Sequence, residues 1–388
     1  MTYQNNSTLS PEILEEISEQ GLEYVPELIR IIVNEAMKQE RQKYLGVGPY
    51  QRDEERQGHA NGFKNKTIRT RVGEIKFDIP QVREGGFYPE SLEKGIRSER
   101  ALNLTMAEMY IKGVSTRKVS AIMEKLCGTS VSASTVSEVA KQLDETLEKW
   151  QNSPLGEVVY MYLDARYEKI RQDGYIQDVG VLIAVGIDWS GHRKVLGVTI
   201  ALGEQELHWR TFMESLVQRG LRGVKLIISD DHAGLKAARK AVFGGVPWQR
   251  CQFHLQQNAQ SYVPKKAMQA EVAEDLRSVF SAPNRTKAEE NLQEIVRKYQ
   301  TSASKLSHWM EENIPEGLTV FSFPAAHRKK IRTTNSIERL NREIKRRTKV
   351  VGVFPNEDSC LRLISSILID ISEKWETGCI FLDVSDGH

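Results

Sequence analysis

Three acidic side chains stand where joint chemistry is possible: Asp164, Asp230 and Glu338. Asp164 closes the apolar run Val158-Val-Tyr-Met-Tyr-Leu, and Asp230 follows Val224-Lys-Leu-Ile-Ile-Ser. A side chain at the carboxyl end of a strand opens into a crevice. Two carboxylates brought close together repel, and a hard divalent cation relieves the repulsion. Magnesium held by carboxylates keeps coordination positions for phosphate and water. A pair of such ions can activate the attacking oxygen and stabilise the leaving one in phosphodiester displacement. The expected cofactor is therefore two Mg2+ ions, with Mn2+ able to substitute. Each acid also has a structural use. Asp164 can serve a strand-end turn, and Asp230 can cap a following helix. Asn335-Ser-Ile-Glu338 has capping-box spacing, with Asn335 at N-cap and Glu338 at N3.

Cys251 and His254 form a Cys-x-x-His run. A zinc site needs about four ligands, and no second Cys or His pair has suitable spacing. Charge supplies a separate signal. The whole chain carries a formal charge of only +2, yet residues 325–351 hold ten Lys or Arg against Glu338 and Glu343 alone. Such a cluster suits a polyanion, although a solvated basic helix face is the alternative.

The elements needed to position these groups can be read along the chain. Apolar residues from Leu22 to Tyr44 recur at three-to-four spacing, so residues 1–50 are expected to be helical, with a dimerisation contact as one use of the stripe. Residues 51–100 form a small β-containing region: Thr67 to Ile79 alternates about Gly73, which predicts a hairpin stopped by Pro80. Arg52, Arg56, Lys64, Lys66, Arg69 and Arg71 could touch phosphates there. Residues 101–152 read as three helices, with Ser115 as a cap, a break at Gly128, and a last helix running from Ser132 or Ser134 to Trp150. That pattern suggests a helix-turn-helix, in which Ser134, Thr135 and Lys141 on the last helix would face DNA.

Residues 153–262 then give three strands, a helix, a strand, a helix and a short strand. This is the order of an α/β ribonuclease H-like core, though other mixed folds share it. Residues 263–328 are expected to be an all-helical insertion, and residues 329–388 to complete the core with the helix that bears Glu338. In such a sheet the first and fourth strands are neighbours, which would set Asp164 beside Asp230 despite their separation of 66 positions.

Three segments carry a family likeness: Leu163-Asp-Ala-Arg-Tyr-Glu-Lys-Ile-Arg171; Ser229-Asp-Asp-His-Ala-Gly-Leu235 with Trp248-Gln-Arg-Cys-Gln-Phe-His254; and Arg332-Thr-Thr-Asn-Ser-Ile-Glu-Arg-Leu-Asn-Arg-Glu-Ile-Lys-Arg-Arg347. The chain resembles the Mutator-type bacterial insertion-sequence transposases, which use a DDE active site, and the likeness covers nearly its whole length. It implies that Asp164, Asp230 and Glu338 are the catalytic, metal-holding triad. One departure stands out. The family usually has a small residue between the second Asp and its His, and here Asp231 stands there, so two adjacent acids compete for the role; Asp230 aligns with the motif.

The likeness further implies that Lys345, two turns beyond Glu338, contacts the DNA end. Arg342, Arg346 and Arg332 would lie nearby, and His254 would touch DNA or orient a carboxylate. His232 and Cys251 would support the acids from behind, and Trp309 is a candidate for base stacking, with core packing as the alternative. The implied reaction is hydrolysis at the element end to free a 3′-hydroxyl, followed by strand transfer. Implied partners are double-stranded DNA, both terminal inverted repeats and target, and at least one further copy of the chain.

Composition sets the outer bounds. The chain has 388 residues, 40% of them hydrophobic and 27% charged, in the range of a globular protein of several domains. No membrane-spanning run and no secretory signal are expected, and four scattered cysteines fit a reducing cytoplasm, here bacterial and nucleoid-associated. No small-molecule substrate is called for. Two rival functions remain: a catalytically inactive DNA-binding regulator derived from a transposase, and an RNase H-type nuclease that cuts without joining.

Overall fold

The computed structural model describes residues 10–48, 56–83, 86–128 and 130–384. They form a mixed α/β protein in two compact units that divide between Gln142 and Leu143. Arg52, read from sequence as a possible phosphate contact, lies outside the described residues.

In the first unit, α1 (Pro11–Gln20) and α2 (Val25–Leu45) precede a hairpin of β1 (Ala60–Thr70) and β2 (Gly73–Val82). Met37 of α2, with Ile29 and Val33 partly buried beside it, packs against Ile68, Ile75, Phe77 and Ile79 of the hairpin, while Leu22, Ile32 and Tyr44 of the stripe stay exposed. Pro80 does not stop the second strand; it sits inside β2 opposite Phe63. A two-stranded ribbon has free edges, where a missing N–H costs no ladder bond. Three helices follow: α3 (Arg100–Ile111), α4 (Thr116–Cys127) and α5 (Ala133–Lys141). Ser115 caps α4, left-handed Gly128 ends it, and Ser132 caps α5. The expected continuous helix to Trp150 is instead broken. α5 stops at Lys141, and α6 (Asp144–Gln151) belongs to the second unit. The reason is tertiary: Arg362 Nη2 donates to Asp144 Oδ2 at 2.7 Å, and Gln151 Nε2 to Ser365 Oγ at 2.9 Å.

The second unit is built on a five-stranded sheet of β3 (Tyr160–Gln172), β4 (Tyr175–Ile187), β5 (Arg193–Ala201), β6 (Leu226–Ser229) and β7 (Trp248–Arg250). The spatial order is β5-β4-β3-β6-β7, with β3 antiparallel to β4 and parallel to β6. The first and fourth strands of this sheet are thus neighbours. α7 (Glu206–Gln218) and α8 (Ala233–Val242) cover one face. There Met161, Leu163, Leu182 and Leu196 meet Trp209, Phe212, Met213 and Leu216 of α7 and Leu235 of α8.

After β7 the chain is helical: α9 (Gln252–Gln260), α10 (Gln269–Phe280), α11 (Arg285–Tyr299), α12 (Ser304–Asn313), 3-10 turns at Ile314–Gly317 and Thr319–Ser322, then α13 (Ala325–Ile331), α14 (Asn335–Val351) and α15 (Glu357–Glu376). The last three serve the other sheet face, as alternation along β3 requires. Tyr160 Oη and His327 Nδ1 are 2.7 Å apart, Tyr162 Oη donates to Lys330 O at 3.2 Å, and Val195 N donates to Ser372 Oγ at 3.0 Å. Among the described residues, no helix is long and apolar enough to cross a membrane.

Trp209 is wholly buried in this core. Trp209→Ala is expected to cost about 3–5 kcal/mol through lost burial and the cavity left behind. Thermal unfolding of the second unit should show a drop in Tm of roughly 10 °C.

Candidate active site

Asp164 was expected to end its strand, but β3 runs eight residues beyond it. The extension comes from β4, which pairs with β3 as far as Gln172–Tyr175 around a turn at Asp173 and Gly174, both at positive φ. β6 accompanies β3 only to Tyr162, so the strand edge opens beside Asp164. The carboxylate is held there: Oδ1 accepts from Ala165 N at 2.9 Å and Oδ2 from Asn341 Nδ2 at 2.8 Å. Burial pushes its pKa up to about 7, with the Asp230 and Glu204 carboxylates adding to the rise.

Asp230 follows β6 directly, as the sequence suggested. Its Oδ1 accepts from Asp231 N at 2.7 Å and lies 3.9 Å from His254 Nδ1. That nitrogen is buried and has no hydrogen-bond partner. His254 is held protonated, its pKa raised to about 9 by the neighbouring Cys251 sulfur and, after burial is overcome, by Asp230 and Asp164. Burial opposes ionisation of Cys251, but bonds from His254 and Thr334 outweigh it and lower the thiol. Cys251 Sγ accepts from both the backbone N and Oγ1 of Thr334, each at 3.3 Å. Since Thr334 is the N-cap residue of α14, the Cys-x-x-His run ties the end of β7 to the start of the helix bearing Glu338.

Glu338 lies in the first turn of α14, where a negative charge suits the helix dipole. The capping box is absent: Thr334, not Asn335, is the N-cap, and no side chain caps the helix. Glu338 Oε1 is instead buried without a hydrogen-bond partner. Asp164, Glu338, His254, Asn341, Arg342 and Lys345 line one open cleft of about 520 Å³. Among the described residues, no three His, Cys, Asp or Glu side chains converge as a ready-made metal cage. Asp164 and Glu338 share the cleft; Asp230 is not among the residues that line it, and its Oδ1 lies 3.9 Å from His254 Nδ1, which does.

The remaining expected positions fall in several places. Lys345 and Arg342 border the cleft, whereas Arg346 is engaged by Glu343 at 2.8 Å. Arg332 ends α13, and its carbonyl accepts from Gln252 N at 3.0 Å. His232, at the N-cap of α8, has its Nδ1 3.8 Å from Glu204 Oε2. Ser134 and Thr135 open α5 beside Ser132 Oγ, each hydroxyl 2.8 Å from it, and Lys141 ends that helix exposed. Trp309 stacks on Tyr262 with centroids 5.3 Å apart.

Two residues at the cleft escaped the sequence reading. Asn341 fixes Asp164 and also accepts from Arg166 through its carbonyl; its place three residues after Glu338 was the available signal. Glu204 comes near through a loop with no motif. It is admitted by Gly234, where a Cβ would lie 2.1 Å from Glu204 O.

Residues 1–378 match the family described as Transposase, Mutator family. The chain belongs to the Mutator family of transposases. Its similarity to the transposase for insertion sequence element IS406 of Burkholderia multivorans is 54% identity, over 94% of this chain and 95% of that protein. It is 42% identical to the transposase for ISRM5 of Rhizobium meliloti, over 93% and 90% of the two chains. It is also 36% identical to the transposase for IS256 in transposon Tn4001 of Staphylococcus aureus, over 95% of each. This Mutator-family transposase therefore carries Asp164, Asp230 and Glu338 in a chain that shares nearly its full length with transposases.

The Asp164 shift has a sign that can be tested on EDTA-treated protein. Below pH 3.8 both the folded and unfolded chains hold the proton. Between there and about 7 only the folded chain keeps it, so this group's contribution to stability falls as pH rises and then levels off. Asp164→Asn removes that loss. Its Tm should match wild type near pH 4 and exceed it increasingly up to pH 8 in thermal melts.

Proposed function

We propose that this transposase is of the DDE type, with an RNase H-like core formed by residues 153–262 and 329–388 and interrupted by an all-helical insertion at 263–328. The sheet order, with the first and fourth strands adjacent, supports that reading. Residues 1–50, 51–100 and the helix-turn-helix of 101–152 would recognise terminal inverted repeats and hold a second protomer. Asp164, Asp230 and Glu338 would hold two Mg2+ ions, or Mn2+. The donor set fits: all three are carboxylates, Asp164 is disfavoured as a bare anion, and Glu338 has a buried oxygen without a partner. Bound divalent ions supply charge neutralisation and activation of the attacking oxygen.

The chain's own groups do the rest. Asn341 fixes the Asp164 carboxylate. Lys345 and Arg342 offer cations to the phosphates on either side of the reacting one. His254, near Asp230 and favoured in its protonated form, would temper the repulsion between the two aspartates. Water adds to phosphorus as the bond to the 3′-oxygen breaks; the water gives up a proton to solvent and the departing 3′-oxygen takes one up, leaving a 3′-hydroxyl and a 5′-phosphate. In strand transfer that hydroxyl adds to a target phosphorus and the target's own 3′-oxygen leaves. No protein nucleophile is required.

The observation that carries this reading is the shared cleft, which Asp164 and Glu338, the latter with an unpartnered oxygen, line together with the cations Arg342 and Lys345. Asp164→Asn, Asp230→Asn and Glu338→Gln should each reduce cleavage and joining of end DNA by at least about 10³-fold, as loss of a metal-assisted step implies. End binding by gel shift should stay within a few-fold of wild type. Residual cleavage in any of the three at wild-type rate removes that residue from the triad. Cleavage without joined product from pre-cleaved ends would favour the nuclease reading, and binding without either reaction the regulator.

A further inference from the structure

The acid beside Asp230 is engaged elsewhere. Asp231 Oδ1 receives Lys236 Nζ at 3.0 Å and its Oδ2 receives Arg250 Nη1 at 2.9 Å. The same two cations meet Glu316: Lys236 Nζ lies 2.8 Å from Oε1 and Arg250 Nη1 3.0 Å from Oε2. The four side chains close a ring, Asp231–Lys236–Glu316–Arg250, with net charge zero. Asn313 Oδ1 accepts a further bond from Arg250 at 2.9 Å. The Arg250 side chain is only 3% exposed, so its partners are not exchangeable with water. A buried guanidinium stripped of one carboxylate is costly. The aromatic rings of Trp248 and Trp309 flank the ring, 4.8 Å from Lys236 and 5.9 Å from Arg250.

The ring joins elements that are far apart in sequence. Asp231 lies at the junction of β6 and α8, Lys236 lies in α8 and Arg250 in β7, and Glu316 lies in the 3-10 turn that ends the helical segment. Neutral bonds reinforce the same seam: Gln249 and Gln252 both donate to Gly317 O, at 2.8 and 2.9 Å. Asp231 is also the residue whose backbone N–H holds the Asp230 carboxylate at 2.7 Å. One residue thus connects the ring to the acid.

We propose that Asp231 is a positioning residue and not a cation ligand: the ring locks the outlet of the helical segment to the catalytic strand, and through the Asp231 N–H it sets the orientation of Asp230. This inference rests on the reading of Asp230 as a catalytic acid. It also gives the departure at position 231 a physical purpose, since a small residue there could not close the ring. Both carboxylate oxygens of Asp231 are already committed to cations. Drawing that side chain into the cleft would break two ion pairs around a buried Arg250.

The test uses full-length protein, end DNA and titrated Mn2+, with Asp231→Asn, Asp231→Glu, Glu316→Gln and the half-exposed Lys236→Gln. Glu316→Gln is the decisive variant, because it breaks the ring from the helical segment without altering residue 231. Expected are falls in kcat of about ten-fold for Asp231→Asn and Glu316→Gln, with KM for DNA unchanged and partial rescue in Asp231→Glu. The double variant should fall little further than the worse single, since both break one ring. If either core variant fails to fold, Lys236→Gln carries the same comparison with a smaller fall. The inference is overturned if Glu316→Gln and Lys236→Gln retain wild-type kcat, or if their loss appears in KM alone. Loss of Mn2+ response in Asp231→Asn with a normal Glu316→Gln would make Asp231 itself the ligand. Absence of cleavage by wild type would instead refute the DDE reading on which the inference stands.

Discussion

A carboxylate that resists ionisation, set next to a second carboxylate, is the constraint around which the second unit is organised. Asp164 sits where burial favours its neutral form, with Asp230 near enough to add to the effect. Nothing about folding requires that arrangement, and it costs stability once the group ionises. The surroundings offset the cost piecemeal. Asn341 and the Ala165 N–H take the Asp164 oxygens, the Asp231 N–H takes one from Asp230, and the ring of His254 lies 3.9 Å from Asp230. A strongly perturbed carboxylate beside a second one is the kind of cluster found at functional sites, and it is the physical ground for the proposed cation-dependent reading.

The fold supplies the site from three distant stretches of sequence, and each is fixed by a different kind of interaction. Strand pairing brings Asp164 and Asp230 together, because β3 and β6 are parallel neighbours. Sulfur hydrogen bonding brings Glu338 in, because Cys251 Sγ gathers both donors of Thr334 at the head of α14. Charge closes the back, because Arg250 and Lys236 bind Glu316 to the same sheet end. Sheet, helix and helical segment therefore meet within a few residues of Asp230. α14 then leads away from the cleft with Arg342 and Lys345 along its open side.

Much of this was legible in the chain itself. Continuous apolar runs such as Val179 to Ile187 mark a fully buried strand, and β4 covers that run. Serine caps and Gly128 set the helix boundaries in the first unit closely. What escaped reading depends on partners remote in sequence. The break between α5 and α6 is imposed by Arg362, 218 positions from Asp144. The extension of β3 past Asp164 is imposed by its hairpin with β4. The apparent capping box at Asn335 and Glu338 lost to Thr334, whose place is set by Cys251. His232 turned to Glu204, a loop residue with no motif to announce it. Sequence pattern favoured Asp230 over Asp231 by alignment with the motif, but the ion pairs at both Asp231 oxygens, formed with Lys236 and Arg250, were not readable from it.

The most direct measurement is anomalous diffraction from crystals of the protein with end DNA and Mn2+. Peaks should lie within inner-sphere reach, about 2.0–2.6 Å, of oxygens from Asp164, Asp230 and Glu338, with Asp231 still on Arg250. Manganese bound with Glu338 turned away, or ligated by Asp231 in place of Asp230, would contradict the shared site.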